Sequence, residues 1–222
     1  MTRHRHIDTH YDAELSQLEE RLIAMGKLVG LQIQAAVTAF TQRDLLQVQA
    51  VERDDHAINE LERGIDERCI RLLALRQPAA SDLRLVAAIL KIVTDLERIG
   101  DLAVDAARRT RGLDDAPLQN VEDLLELQAA ALLTLSESLD AFLGTDLASA
   151  RRIIVTDGKV EERVSSLIVR LRKAMTDDSR LVANGVATLM TVMHLQRMAA
   201  HARNIAEMAI YMASGVDVRH VT

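Results

Sequence analysis

The stretch DLLQVQAVERDDHAINELERGIDERCIRLLALR, residues 44–76, decides the fold. Val48, Val51, Ile58, Ile65, Cys69 and Leu72 recur at alternating spacings of three and four, and Asp55 and Glu62 occupy the two remaining positions of that register. An apolar stripe at this period, with charge elsewhere, predicts one long α-helix that buries a single face against other helices. Asp44 stands where an N-cap belongs, because its short carboxylate reaches the orphan amides of a first turn.

The breakers on either side set the helix count. Pro78 and Pro117 are the only prolines, and Gly112, Gly144 and Gly215 close long periodic segments. Helices are predicted over 8–41, 44–76, 80–110, 117–143, 146–176 and 179–213, with Asp44, Ser81 and Asp146 as N-caps. Gly26, Gly30, Gly64, Gly100, Gly158 and Gly185 fall inside periodic stretches and predict close helix approach rather than breaks. Connections this short make consecutive helices antiparallel neighbours. The expected architecture is all-α, two tandem pseudo-symmetric three-helix bundles, residues 1–112 and 113–222. Composition agrees, since 49% of the 222 residues are hydrophobic and only 2% aromatic. Aromatic and β-branched runs would instead mark a sheet.

An internal repeat supports two halves. Adding 102 to the seam of the second helix gives Ala150, Ile153, Asp157, Val160, Val164, Leu167, Leu171 and Ala174 in the fifth. The third and sixth helices align at an offset of 99, which places Leu90, Val93 and Glu97 on Leu189, Val192 and Gln196.

Several function classes recede at this point. With 27 Lys and Arg against 33 Asp and Glu the net charge is −6, which disfavours nucleic-acid binding. The single Cys69 leaves no disulfide framework and reads as a small buried hydrophobe in a reducing compartment. No signal peptide and no unbroken apolar span is evident, so a cytoplasmic protein is expected. A Gly-rich phosphate loop, a Gly-x-Ser-x-Gly elbow and an oriented Cys/His pair are all absent from the sequence, which reads as a non-enzyme.

What remains is polar chemistry on apolar faces. Asp55, Asp157 and Glu97 occupy positions that their seams assign to the core, where an unpaired carboxylate is costly. Glu97, Asp101 and Asp105 also stand one turn apart on one side of the third helix. Like charges at that spacing call for a cation between them, with Asp55 and Asn59 facing them from the second helix. Arg98 and Arg108 offer the alternative, ordinary salt bridges on a solvated face. Oxygen donors without cysteine would select Mg²⁺, Ca²⁺, Mn²⁺ or iron.

The histidines weigh against other metal chemistry. His4, His6, His10 and His220 lie in terminal segments, and Arg53, Thr191 and Met198 stand three residues before His56, His194 and His201. The Glu-x-x-His motif of ferritin-like di-iron bundles is therefore missing. His56, beside Asp54 and Asp55, is a candidate phospho-accepting histidine set against the plainer reading of a surface side chain.

At these residues the sequence resembles a known family. RQPAASDLRLVAAILKIVTDLERIGDLA (76–103) closely resembles the signature of the PhoU family of phosphate-transport accessory and regulatory proteins, and HLQRMAAHARNIAEMAIYMASGVDVRHV (194–221) is its counterpart in the second repeat. MGKLVGLQIQAAVTAF (25–40) and TDGKVEERV (156–164) resemble the family's first and fifth helices. The resemblance implies two three-helix bundles, commonly dimeric, working in the cytosol. It implies a negative regulator that couples a high-affinity phosphate ABC transporter, through its nucleotide-binding subunit, to a PhoR-type sensor histidine kinase. Membrane contact would come only through those partners. It also implies a multinuclear iron or other metal site on paired Glu/Asp-x-x-x-Asp motifs, which map here onto Glu97, Asp101 and Asp105 with Asp55 and Asn59. The second repeat departs from this pattern: Gln196 and Ala200 replace both carboxylates, leaving Asp157, Glu161, His201, Asn204 and Glu207. Any metal is thus expected mainly in the first repeat. A metal store or metal-dependent hydrolase and a His56 phosphotransfer bundle are the rival readings.

Overall fold

Asp44 joins the first two helices. Its Oδ1 accepts hydrogen bonds from the amides of Leu46 at 2.9 Å and Gln47 at 3.0 Å, an N-cap as predicted. Just before it, Arg43 adopts the left-handed region at φ 57°, and the chain closes with the Asp44 amide on the Ala39 carbonyl at 2.9 Å. The second repeat builds the same corner 102 residues later. Thr145 takes φ 52°, the Asp146 amide meets the Ala141 carbonyl at 2.8 Å, and Asp146 caps Ala148 and Ser149 at 3.0 and 3.1 Å. Phe40 and Phe142, the only two phenylalanines, are repeat partners inside these corners, and both are buried. The repeat therefore extends back into the helix that opens each half.

The computed structural model describes residues 9–76, 78 and 80–215, the side chains at 9, 10 and 156–159 excepted. Among the described residues there is no strand, and the helices are α1 (Thr9–Gln42), α2 (Leu45–Arg76), α3 (Ala80–Arg108), α4 (Val121–Leu143), α5 (Leu147–Asp177) and α6 (Val182–Ser214). The expectation of six long helices holds, with four corrections, the first being that the sixth starts at Val182, after a 3-10 turn over Ser179–Leu181, rather than at 179. The fourth helix starts at Val121 rather than 117, because Asn120 sits at φ 61°, where an α-helix cannot run. The third ends its α-helical part at Arg108 and tightens into a 3-10 turn over Arg109–Gly112. Ser81 lies inside α3 with its hydroxyl on the neighbouring Asp82 carboxylate at 3.4 Å, so it is not an N-cap.

Each half packs its three helices on one another, and the halves join through α1 against α4, α3 against α6 and the turn at Arg109–Gly112 against α6. Among the described residues the outer helices α2 and α5 touch only helices of their own half. The seam of α2 is buried at every apolar position. In α5, Ala150, Ile153, Val164, Leu167 and Leu171 are buried and Val160 and Ala174 half-buried. Helix α1 contains a stretch long and apolar enough to cross a membrane, of mean hydropathy 1.4, and half of it is buried within the bundle. Leu15, Leu18, Leu22, Met25, Val29 and Ile33 supply its core face. Each such buried side chain contributes roughly 1.5–3 kcal/mol from apolar area removed from water.

Close approach explains two interior glycines. A Cβ on Gly26 would collide with Leu139, and one on Gly185 would sit 2.6 Å from Met175. Gly158 lies among residues whose side chains are outside the described set.

The linker between the halves, residues 113–120, is held from both sides. Arg43 donates to the carbonyls of Asp114, at 2.7 Å, and Ala116. Asn184 on α6 accepts from the Asp114 amide at 3.0 Å and donates to the Ala116 carbonyl at 2.6 Å. Asn184 is 1% exposed, so its amide holds the half-exposed linker backbone from the inner side.

Candidate functional site

The carboxylates singled out by the sequence lie where α3 crosses α2, at the edge of the core rather than in its centre. Asp55 and Glu97 are half-buried, which corrects the core placement their seams predict. On a helix flank a carboxylate keeps part of its hydration, so the seam tolerates it. Asp101 and Asp105 follow Glu97 turn by turn with side chains nearly half exposed.

Asp55 is held from two helices. Its Oδ1 accepts from Gln32 Nε2 on α1 at 3.1 Å and its Oδ2 from Asn59 Nδ2 on α2 at 3.0 Å. Gly100 on α3 makes room for this arrangement, since a Cβ there would meet Gln32 Oε1 at 3.4 Å and Asp55 Oδ1 at 3.5 Å. Gln32 is 5% exposed, and its Oε1 has no hydrogen-bond partner among the described residues.

One turn away the electrostatics change. Glu97 is pushed from 4.5 up to about 7, first by burial and then by the Asp101 carboxylate, with Glu62 adding to the push and Arg98 opposing it. Burial and Asp66 likewise raise Glu62, and burial raises Asp66. Arg98 reaches both Glu97 and Asp101 only at 3.5 Å. Farther along, Asp105 pairs with Arg108 at 3.3 Å, and Arg108 and Arg111 converge on Glu52 at 2.9 and 2.7 Å. Those two guanidiniums lower Glu52 to about 2 through their hydrogen bonds. The salt-bridge alternative thus describes Asp105, while Glu97 keeps an excess of negative neighbours.

In metal-free buffer this has a sign that can be measured. A carboxyl raised from 4.5 to about 7 holds its proton in the folded chain where the unfolded chain has released it, so stability falls as pH rises through that window. Glu97→Gln is expected to reduce that slope to what Glu62 and Asp66 contribute, and to stabilise the protein at pH 8 by about 1 kcal/mol after allowance for solvent screening. Urea unfolding of both proteins at pH 5 and pH 8 checks it; equal slopes would refute it.

The donors are all oxygen, and the orphaned Gln32 Oε1 beside Asp55 adds a neutral one, which fits a hard cation in chemistry. In geometry, no three Asp, Glu, His or Cys side chains among the described residues converge as metal ligands.

The second repeat is arranged differently. Glu161 is exposed on α5, and the Asp157 side chain lies outside the described residues. His201 Nδ1 and Asn204 Nδ2 meet Asp95 Oδ1 on α3 at 2.8 and 3.0 Å, and Glu207 lies 3.9 Å from Arg203. His201 and Asn204 therefore face the first half, away from α5. Sequence reasoning passed over Asp95, which sits about 200° around the helix from Glu97 and faces the other half. It also passed over Glu62 and Asp66, although Glu62 stands in the quoted seam and Asp66 is one turn farther on.

The other polar candidates are quieter. His56 is exposed. Both ring nitrogens of His194 are buried without a partner among the described residues, and burial lowers its proton affinity. Burial pushes the Cys69 thiol up to about 12, which keeps it protonated and unreactive.

Comparison with known proteins adds the following. The family model described as PhoU domain matches twice, over residues 22–110 and 124–209. The phosphate-specific transport system accessory protein PhoU homolog of Pseudomonas aeruginosa is 40% identical over 219 residues, covering 97% of this chain and 90% of that protein. The accessory protein PhoU of Escherichia coli (strain K12) is 36% identical over 220 residues, covering 98% and 90%. The crystal structure of PhoU from Pseudomonas aeruginosa superposes with a TM-score of 0.86 at 37% identity, over 93% of this chain and all of that one. The phosphate transport system regulatory protein PhoU of Streptococcus pneumoniae gives a TM-score of 0.87 at 31% identity, over 94% and 99%.

Proposed function

This chain belongs to the PhoU family, and from that premise we propose that it is a cytoplasmic regulator of phosphate homeostasis, an adaptor rather than an enzyme. It couples a high-affinity phosphate ABC transporter to a PhoR-type sensor kinase, restrains phosphate uptake and keeps the phosphate-starvation response silent when phosphate is plentiful. The observation that carries this reading is the match along nearly the whole chain to relatives named as accessory proteins of the phosphate-specific transport system. The working unit is a homodimer, each half of the chain (1–112 and 113–222) forms one bundle, and membrane contact comes through the transporter.

The physics of an adaptor is modest. It shifts its partners' equilibrium only by the difference in its affinity for their two states, so it needs a body that keeps its shape when one partner lets go. A core shared across α1, α3, α4 and α6 supports that role. Deleting the gene is expected to leave phosphate-starvation genes switched on in phosphate-rich medium. If they stay off, the negative-regulator reading fails.

A metal role for the first repeat is a second reading, favoured by the raised proton affinity of Glu97. Glu97, Asp101 and Asp105, with Asp55 and Asn59 alongside, are the oxygen donors that would have to draw together around a hard divalent or iron-type cation, which would supply positive charge to an acidic face. The urea experiment above extends to it. Saturating Mn²⁺ is expected to abolish the pH dependence of the parent protein and to leave Glu97→Gln unchanged.

A further inference from the structure

The net charge of −6 conceals a local reversal on the outer face of α1 and α2. A shallow cavity of about 420 Å³ is lined there by Arg21, Gly64, Glu67, Arg68 and Arg71, three guanidiniums against one carboxylate. The spacing explains the convergence: Arg68 and Arg71 follow Gly64 by four and seven residues on α2, so all three share one face, and Arg21 reaches across from α1. Gly64 keeps the floor open, since among the described residues only Arg21 Nη1, at 3.5 Å, comes within 4 Å of its missing Cβ. Arg21 and Arg71 have no hydrogen-bond or ion-pair partner among the described residues. Arg68 gives one N–H to Gln17 Oε1 at 3.2 Å, a neutral partner that holds the side chain without cancelling its charge. A second cavity along the same groove shares Arg68 and Arg71 and is lined beyond them by Leu18, Leu72, Leu75 and the Glu14–Arg76 ion pair at 3.2 Å.

We propose that this groove is an oxyanion site for a phosphoryl group, inorganic phosphate or a short condensed phosphate. Guanidinium forks match the edges of a tetrahedral phosphoryl group, which accepts from several directions at once, whereas one carboxylate is planar and engages one or two forks. The first cavity has no apolar lining side chain, which sets it apart from a groove built to hold the side chains of a peptide. Three guanidiniums spread over one groove favour an anion with more than one phosphoryl group. The site lies on the α1–α2 surface rather than among the α2–α3 carboxylates, so it stands or falls separately from the regulatory reading.

Calorimetric titration of the full chain with inorganic phosphate, pyrophosphate and tripolyphosphate at low ionic strength tests it, with a Glu-rich peptide as the competing probe. Saturable binding that tightens from phosphate to tripolyphosphate is expected. Arg21→Gln with Arg71→Gln should weaken tripolyphosphate binding about tenfold or more, and Arg71→Gln alone, at an exposed position, by less. A thermal melt of each variant confirms that it is folded. The proposal is overturned if none of the three phosphates binds, if the double variant binds tripolyphosphate as the parent does, or if only the acidic peptide binds and loses affinity in the variants.

Discussion

Asn184→Ala is expected to lower the unfolding free energy by about 3 kcal/mol, measured as a fall in the urea midpoint at unchanged slope. The side chain is 1% exposed and closes three contacts with the linker: it accepts from the Asp114 amide at 3.0 Å and donates to the Ala116 carbonyl at 2.6 Å and the Asp114 carbonyl at 3.4 Å. Truncation removes the acceptor of the Asp114 amide and one of the two donors to the Ala116 carbonyl, at roughly 1–3 kcal/mol for a group that water does not reach. Arg43 still holds the two carbonyls from the other side, which limits the loss. Asn184→Asp should be worse than alanine, because a carboxylate would face two carbonyl oxygens. If aspartate proves the milder change, the linker is not held as described.

Asp95→Ala is expected to cost about 2 kcal/mol, through the contact between the two halves. Asp95 is the common acceptor for His201 and Asn204, its side chain is 16% exposed, and its removal strands two half-buried donors on α6. The readout that separates this from simple loss of packing is a double-mutant cycle with His201→Leu. A coupling of about 1 kcal/mol or more is expected, whereas independent contributions would add with no remainder. The size of the loss follows from position: Asp95 joins α3 to α6, an α-helix pair that holds the halves together.

Much of this fold was legible in the sequence because it is repetitive at two scales. The seam of α2 was read from period alone and every one of its apolar members is buried, since a helix that long has only one face to give to its neighbours. Asp44 and Asp146 were read as caps from residue type, and each accepts from the first-turn amides. Ser81 failed as a cap because α3 already begins at Ala80, and the 117 start failed because Asn120 at φ 61° postpones the helix to Val121.

The candidate site was legible along each helix and not between helices. Glu97, Asp101 and Asp105 do fall on one side of α3, as their spacing requires, but their environments diverge. Asp105 meets Arg108 at 3.3 Å and Glu97 does not find an equally close cation. Gln32 was invisible as a partner of Asp55 because 23 residues and a whole helix separate them, and neither period nor composition carries that distance. Asp95 was overlooked for a related reason: a carboxylate on a helix reads as solvated until the opposite helix brings a histidine and an asparagine to it.

By itself, then, the sequence determined that this chain forms long amphipathic helices in two related halves and that it carries the signature of the PhoU family, because helical period, capping chemistry and motifs are properties of neighbouring residues. Only the tertiary structure decided which carboxylates keep their protons, which are paired, how Asn184 holds the linker, and that three arginines of an acidic protein gather over Gly64. Each of these depends on distance and desolvation between segments far apart in the chain, and a side chain's energy is set by what folding places against it.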